Sequence, residues 1–209
     1  MNMADIISRV KRTFGDESGA QITDDDIIRW TNDAQNEIAQ AQKLFESTGV
    51  QTTVAGTADY YLPDTLIDLR AVYYDGRPLN YMSEQMFDEY IRKVNDGYET
   101  SDGEPTCYTS WGNKVSLYPS PAGSKQLKIH FICFPAPVTA ITDSLTLPMR
   151  YHNRILEAVL AHAYELDENF EGSQFKYQQF AGSLRDQAGD EEWDGKSAYP
   201  GITVLMEDY

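Results

Sequence analysis

The residues best equipped for chemistry in this chain are three histidines, two cysteines and a few runs of carboxylates. The histidines are His130, His152 and His162. An imidazole can ligate a metal or move a proton near neutral pH. His152 and His162 fall on one predicted helix, where their separation turns the two side chains about 80° apart. They do not share a ligand sphere, and no Cys/His spacing suggests zinc. His162 lies on or beside an apolar stripe and reads as a partly buried imidazole with its own partner. Cys107 and Cys133 sit in predicted strands, where a thiol is usually a small buried apolar group. One potential pair makes no disulfide framework, so a reduced compartment is expected.

The acidic runs have ordinary explanations. Asp24, Asp25 and Asp26 are consecutive and point in different directions, but all sit where a helix start favours negative charge. Asp190, Glu191, Glu192 and Asp194 match no EF-hand loop and read as a solvated segment, with weak Ca²⁺ binding as the alternative. Residues 122–125, Ala-Gly-Ser-Lys, resemble part of a phosphate loop. They lack its first glycine and lie between strands rather than before a helix, so a turn is expected. The sequence has no Gly-x-Ser-x-Gly elbow and no His-Glu-x-x-His motif. A pair of glycosidase carboxylates distant in sequence stays open, but nothing positively supports it. The expectation is a non-enzyme without cofactor or metal.

Charge narrows the partners. With 17 Lys+Arg against 33 Asp+Glu, the 209-residue chain has a formal charge of −16. Duplex binding depends on neutralising phosphates, so the charge argues against a general nucleic-acid binder, and equally against docking on an anionic membrane. The first residues carry no apolar signal region, and no apolar run approaches the length of a membrane span. At 41% apolar and 24% charged residues, the chain has a globular balance and can bury a core without staples. Fourteen tyrosines and three tryptophans are many for this length. In the pairs Tyr60-Tyr61 and Tyr73-Tyr74, successive strand residues face opposite sides, leaving one of each pair for an outer face or a partner. Strand propensity and an extensive interface both fit this excess.

The elements that position these residues follow from hydrophobic period. Met3, Ile7, Val10 and Phe14 predict a first helix, broken by Gly15 and Gly19. Thr23 caps a second helix whose stripe runs through Ile27, Trp30, Ala34, Ile38, Ala41 and Phe45, with Gly49 as its stop. From residue 50 the period changes to two. Segments 50–54 and 60–62 predict a hairpin, 66–74 a strand, and Asp75-Gly76 a turn into 78–82. Ser83 caps a short helix carrying Phe87, Tyr90, Ile91 and Val94, and 95–104 reads as a polar loop. Segments 106–111 and 114–118 predict a second hairpin about Gly112-Asn113, followed by a strand over 126–134. Helix returns after Pro148, with Ile155, Leu156, Val159, Leu160, Ala163 and Leu166 on its apolar face. A last helix over 173–188 places Tyr177, Phe180, Ala181, Leu184 and Ala188 on one side and stops at Gly189.

These runs predict an α+β fold. Residues 1–48 and 147–189 supply the N- and C-terminal helices of one bundle, 49–146 an inserted antiparallel β-rich region, and 190–209 an extended acidic tail.

The ordered set of short stretches resembles the head-to-tail connector adaptors of tailed bacteriophages. They are Trp-Thr-Asn-Asp-Ala-Gln-Asn-Glu-Ile-Ala (30–39), Tyr-Tyr-Leu-Pro (60–63), Val-Tyr-Tyr-Asp-Gly-Arg-Pro-Leu (72–79), Leu-Tyr-Pro-Ser-Pro (117–121) and the helix over 147–166. The resemblance implies a non-enzymatic virion protein, assembled in the bacterial cytoplasm. It implies a ring, commonly a dodecamer, docked beneath the portal and offering a platform to tail or nozzle proteins. DNA would pass through the channel without specific binding. The β-prone segment 202–206 follows Pro200-Gly201 and has no adjacent strand to pair with. Ile202, Val204, Leu205, Met206 and Tyr209 are the candidate contacts with portal or a neighbouring subunit, with a flexible terminus or a strand returning to its own β-region as the alternatives. The alternatives are another connector ring, a stopper or tail terminator, or a carbohydrate-binding or hydrolytic tail module.

Overall fold

A computed structural model describes residues 1–95 and 102–192. The chain divides into two units: a helical unit of Met1–Gln42 with the segment from Pro135 onward, and a strand unit of Lys43–Phe134.

The helical unit begins with α1 (Met3–Phe14). The Asn2 side chain accepts from the Asp5 amide, and the Asp5 carboxylate accepts from the Asn2 amide, a reciprocal cap. Gly15 ends α1 at φ 93°, a left-handed conformation in which its amide reaches the Lys11 carbonyl. Helix α2 (Asp24–Gln42) starts on a similar box between Thr23 and Asp26. It buries Ile27, Trp30, Ala34 and Ile38, as the stripe predicts. It ends at Lys43, which takes a left-handed φ of 50°. Phe45 and Gly49 therefore lie off the helix: Gly49 pairs with Ile129 in a strand.

After Pro148 one 3-10 turn (Met149–Tyr151) leads into α4 (His152–Leu166), and α5 (Phe170–Glu192) follows; α3 (Glu84–Asn95) belongs to the other unit. Ile155, Ala158, Val159 and Ala163 are buried on α4, and Phe180 and Leu184 on α5. The small alanines let the two helices approach closely. Leu166, expected on the buried stripe, is 55% exposed because it is the last residue of α4. Helix α5 begins before Ser173 and runs past Gly189.

In the strand unit, β1 (Glu46–Thr52), β2 (Asp59–Tyr61), β3 (Leu66–Tyr74), β4 (Arg77–Pro78) and β5 (Asn80–Tyr81) precede α3 (Glu84–Asn95). Then come β6 (Asp102–Gly103), β7 (Cys107–Trp111), β8 (Lys114–Tyr118), β9 (Ser120–Pro121) and β10 (Gln126–Cys133). They form sheets ordered β1-β10-β3-β4, β2-β8-β7-β5 and β6-β9. The hairpin expected from 50–54 and 60–62 does not form: β1 pairs with β10 and β2 with β8. The hairpin of β7 and β8 does form, with Trp111 opposite Lys114.

The picture of a helical bundle carrying an inserted antiparallel β-region is thus corrected, while the tail expected over 190–209 lies, from residue 193, outside the described residues. The fold is α+β, with five helices and three sheets among the described residues. Its strand-rich part is a core in its own right. Val72, Val115, Leu117, Leu127 and Ile129 are almost fully buried together, with Tyr60 and Tyr74 among them. Apolar surface on that scale sustains a core without a bundle to lean on. The strands are not all antiparallel: β5 runs parallel to β7 and β6 to β9. A separate cluster of Phe87, Cys107 and Tyr118 joins α3 to this unit.

Candidate functional site

Among the described residues, no group of His, Cys, Asp and Glu is arranged to hold a metal ion. The histidines sit in three unlike surroundings. His130, on β10, meets Tyr73 edge-on with ring centroids 5.1 Å apart. His152 is buried, and its Nε2 donates to the Leu147 carbonyl at 2.9 Å. His162 stacks on Trp30 at 5.9 Å and lies 3.7 Å from the Glu165 carboxylate. The two thiols are free; Cys107 is buried and Cys133 half-buried. Burial pushes the Cys107 thiol up, which disfavours the nucleophilic thiolate.

Residues 122–125 form a turn between β9 and β10, and their lysine is already occupied. Lys125 Nζ lies 2.9 Å from both Asp75 Oδ2 and Glu104 Oε1, and hydrogen bonds to these carboxylates hold its pKa above the ordinary lysine value. Arg77 meets Glu104 at 3.2 Å. These four side chains, with Tyr74, Leu79 and Thr106, line a recess of about 270 Å³. Its two cations and two anions neutralise each other, so it offers no net charge to a ligand.

The acidic residues are mostly structural. Asp16 is buried, and its carboxylate accepts the amides of Ala20, Gln21 and Ile22 at 2.8–3.0 Å. Those hydrogen bonds, Ile22's foremost, hold it far below the usual aspartate range. Asp24 pairs with Lys11, and Asp26 with Thr23 and Arg29. The side chains of Asp190, Glu191 and Glu192, and the whole of Asp194, lie outside the described residues. So do the candidate contacts Ile202, Val204, Leu205, Met206 and Tyr209.

What the molecule does present is surface. Tyr60 is buried and Tyr61 is 76% exposed. Register places Tyr61, Lys114 and Trp111 in one row across β2, β8 and β7, hence on one face, and Trp111 is 64% exposed. On the other large sheet, Val50, Lys128 and Tyr73 form one row across β1, β10 and β3, and Thr48, His130 and Ala71 the next. In the helical unit the turn from α4 to α5 exposes Leu166 and Phe170 among Glu165, Asp167, Glu168 and Glu171. Of the tyrosine pairs that the sequence marks for an outer face, Tyr60-Tyr61 divides as expected, with Tyr61 outward. The sequence signal for the turn is Phe170, a large apolar residue inside an otherwise acidic and polar segment.

Apolar patches rimmed by polar groups mark interaction sites, and the exposed aromatic groups of both units are of that kind. A family model described as SU10 adaptor protein matches residues 1–201. The chain belongs to the SU10 adaptor protein family. No curated protein matches its sequence. The family makes it a phage adaptor, with a structural role in the virion and with other head and tail proteins as partners. No described helix of the adaptor is long and apolar enough to cross a membrane. The match takes in the helices at both ends and all the strands. It stops at residue 201, before the β-prone segment that begins at Ile202.

Proposed function

We propose that this adaptor assembles as a ring of about twelve copies beneath a portal protein, joining the DNA-filled head to the tail or its nozzle. The observation that carries this reading is the family match over residues 1–201. Exposed aromatic side chains on both units support it, since tyrosine and tryptophan are favoured where proteins meet. The ring leaves a channel for DNA. Each copy brings a charge of −16, and a lumen with excess carboxylate repels phosphates and limits sticking. The role needs no catalysis, so the isolated adaptor should show no hydrolase or nuclease activity and should not retain duplex DNA at physiological salt. The tail from residue 190 supplies further contacts, with Ile202, Val204, Leu205, Met206 and Tyr209 meeting portal or a neighbouring copy.

The test is the mass of the complex formed with purified portal, followed by imaging. A closed ring stacked on the portal is expected. A portal that takes up no adaptor, or takes it up as isolated monomers, overturns the reading.

A further inference from the structure

We propose that copies of this adaptor bind one another head to tail, the outer face of the β1-β10-β3 sheet of one copy receiving the α4–α5 turn of the next. The proposal rests on the ring reading and assigns its contact surfaces. A heterologous contact of this kind uses two different patches per copy, and it generates a ring when the rotation closes.

The sheet face is unusual in so acidic a chain. Cross-strand partners share a face, so the rows Val50–Lys128–Tyr73 and Thr48–His130–Ala71 lie side by side on it. No carboxylate occurs in either row; the nearest on these strands, Glu46 and Asp68, lie beyond them at the Ile132 end. Lys128 has no carboxylate partner among the described residues, although most of the other lysines described do. Val50 is 57% exposed beside it. The patch is therefore apolar and aromatic, with a free cation and an imidazole.

The turn is its complement. Phe170 is 67% exposed and Leu166 stands nearby in sequence, with Asp167, Glu168 and Glu171 around them. No lysine or arginine among the described residues is paired with those three carboxylates. An apolar pair ringed by free carboxylates fits a carboxylate-free apolar face carrying a free lysine. Dimensions agree: three strands spaced about 4.8 Å apart make a platform about 10 Å wide, close to the roughly 10 Å girth of one helix. DNA is the weaker fit, because one lysine neutralises few phosphates against the field of the whole chain.

Two full-length variants test this. Val50→Asp with Lys128→Glu disables the face and leaves the turn intact. Leu166→Asp with Phe170→Asp disables the turn and leaves the face. Sedimentation velocity of the wild-type adaptor should show species larger than a monomer. Each variant alone should associate about ten-fold or more weakly. An equimolar mixture should form a two-copy species and nothing larger, because one working face meets one working turn and both remaining patches are dead. Circular dichroism melts verify folding, and Lys128→Gln and Phe170→Ala give a milder pair should either double variant unfold. Association of the variants equal to wild type overturns this contact, while the portal complex still decides the ring. A mixture that stays monomeric also overturns it, as does a wild type that stays monomeric at its highest soluble concentration. Retention of duplex DNA that disappears with Lys128→Glu would overturn it too, by making the face a nucleic-acid surface.

Discussion

In the helical unit, Asp16, Asp26 and Asp143 are held by backbone amides and hydroxyls, whereas in the strand unit Asp59 and Glu104 are held by Lys114 and Lys125. All five carboxylates are held below their ordinary range, but by different agents. For Asp16 the chief cause is the Ile22 amide, and for Asp143 that of Thr139; for Asp59 and Glu104 it is a lysine hydrogen bond. With far more carboxylates than cations in the chain, loop amides anchor acids without consuming lysines. The lesson concerns robustness. A buried carboxylate fixed by amides is screened little by salt, while exposed ion pairs are screened within a Debye length of about 8 Å at physiological strength.

The sharpest test of the comparison is whether each unit has its own core. Phe180→Ala in the helical unit should cost about 3–5 kcal/mol and Leu127→Ala in the strand unit about 2–5 kcal/mol, read by urea denaturation. Near-zero loss for Leu127→Ala would deny the strand unit an independent core. Asp16 comes next. Its folded pKa is depressed, so its stabilisation is complete well above the ordinary aspartate value of 3.8 and is lost as pH falls below it toward the folded value. Asp16→Asn should flatten the acid limb of the stability curve and leave its salt dependence alone. An unchanged acid limb would mean that the amide cradle is not closed in solution.

Smaller effects follow from buried hydroxyls. Thr31 in one unit and Thr109 in the other each bury an Oγ1 with no partner. Replacing either with valine should stabilise by up to about 1 kcal/mol, because no hydrogen bond is lost. A loss of stability at either position would reveal an ordered water as its partner. The smallest effect is expected at Asp59→Asn, worth no more than about 1 kcal/mol because the pair with Lys114 is partly exposed. Half-molar salt should erase that difference, and persistence at high salt would break the contrast with Asp16.

Local pattern in the sequence reached some of this. The period-two run over 66–74 coincides with β3, and the turn at Gly112-Asn113 joins β7 to β8. It failed where pairing is long-range. The partner of β1 is β10, far along the chain, and no feature of 50–54 distinguishes that strand from one arm of a local hairpin. The apolar spacing of α2 continues to Phe45, but the left-handed Lys43 turns the backbone first. Helical period points Leu166 toward the core, but it lies outside because the helix ends there. The surface patches stayed hidden for a related reason. Val50, Lys128 and Tyr73 come from three distant segments, and only sheet register brings them into one row.

The two ends of the β1-β10-β3-β4 sheet are unequal. At one end β4 is two residues long and contains Pro78, which has no amide to offer a further strand. At the other, β1 runs for seven residues without proline or lysine, and among the described residues nothing pairs with its second side. Such an edge is a template for fibrous aggregation. Free copies repel one another at −16 each, which keeps those templates apart. Shelf life of the free subunit is thus set by colloid chemistry: raising salt or lowering pH toward 4.4 removes the barrier while the fold is still intact, and precipitation should precede unfolding.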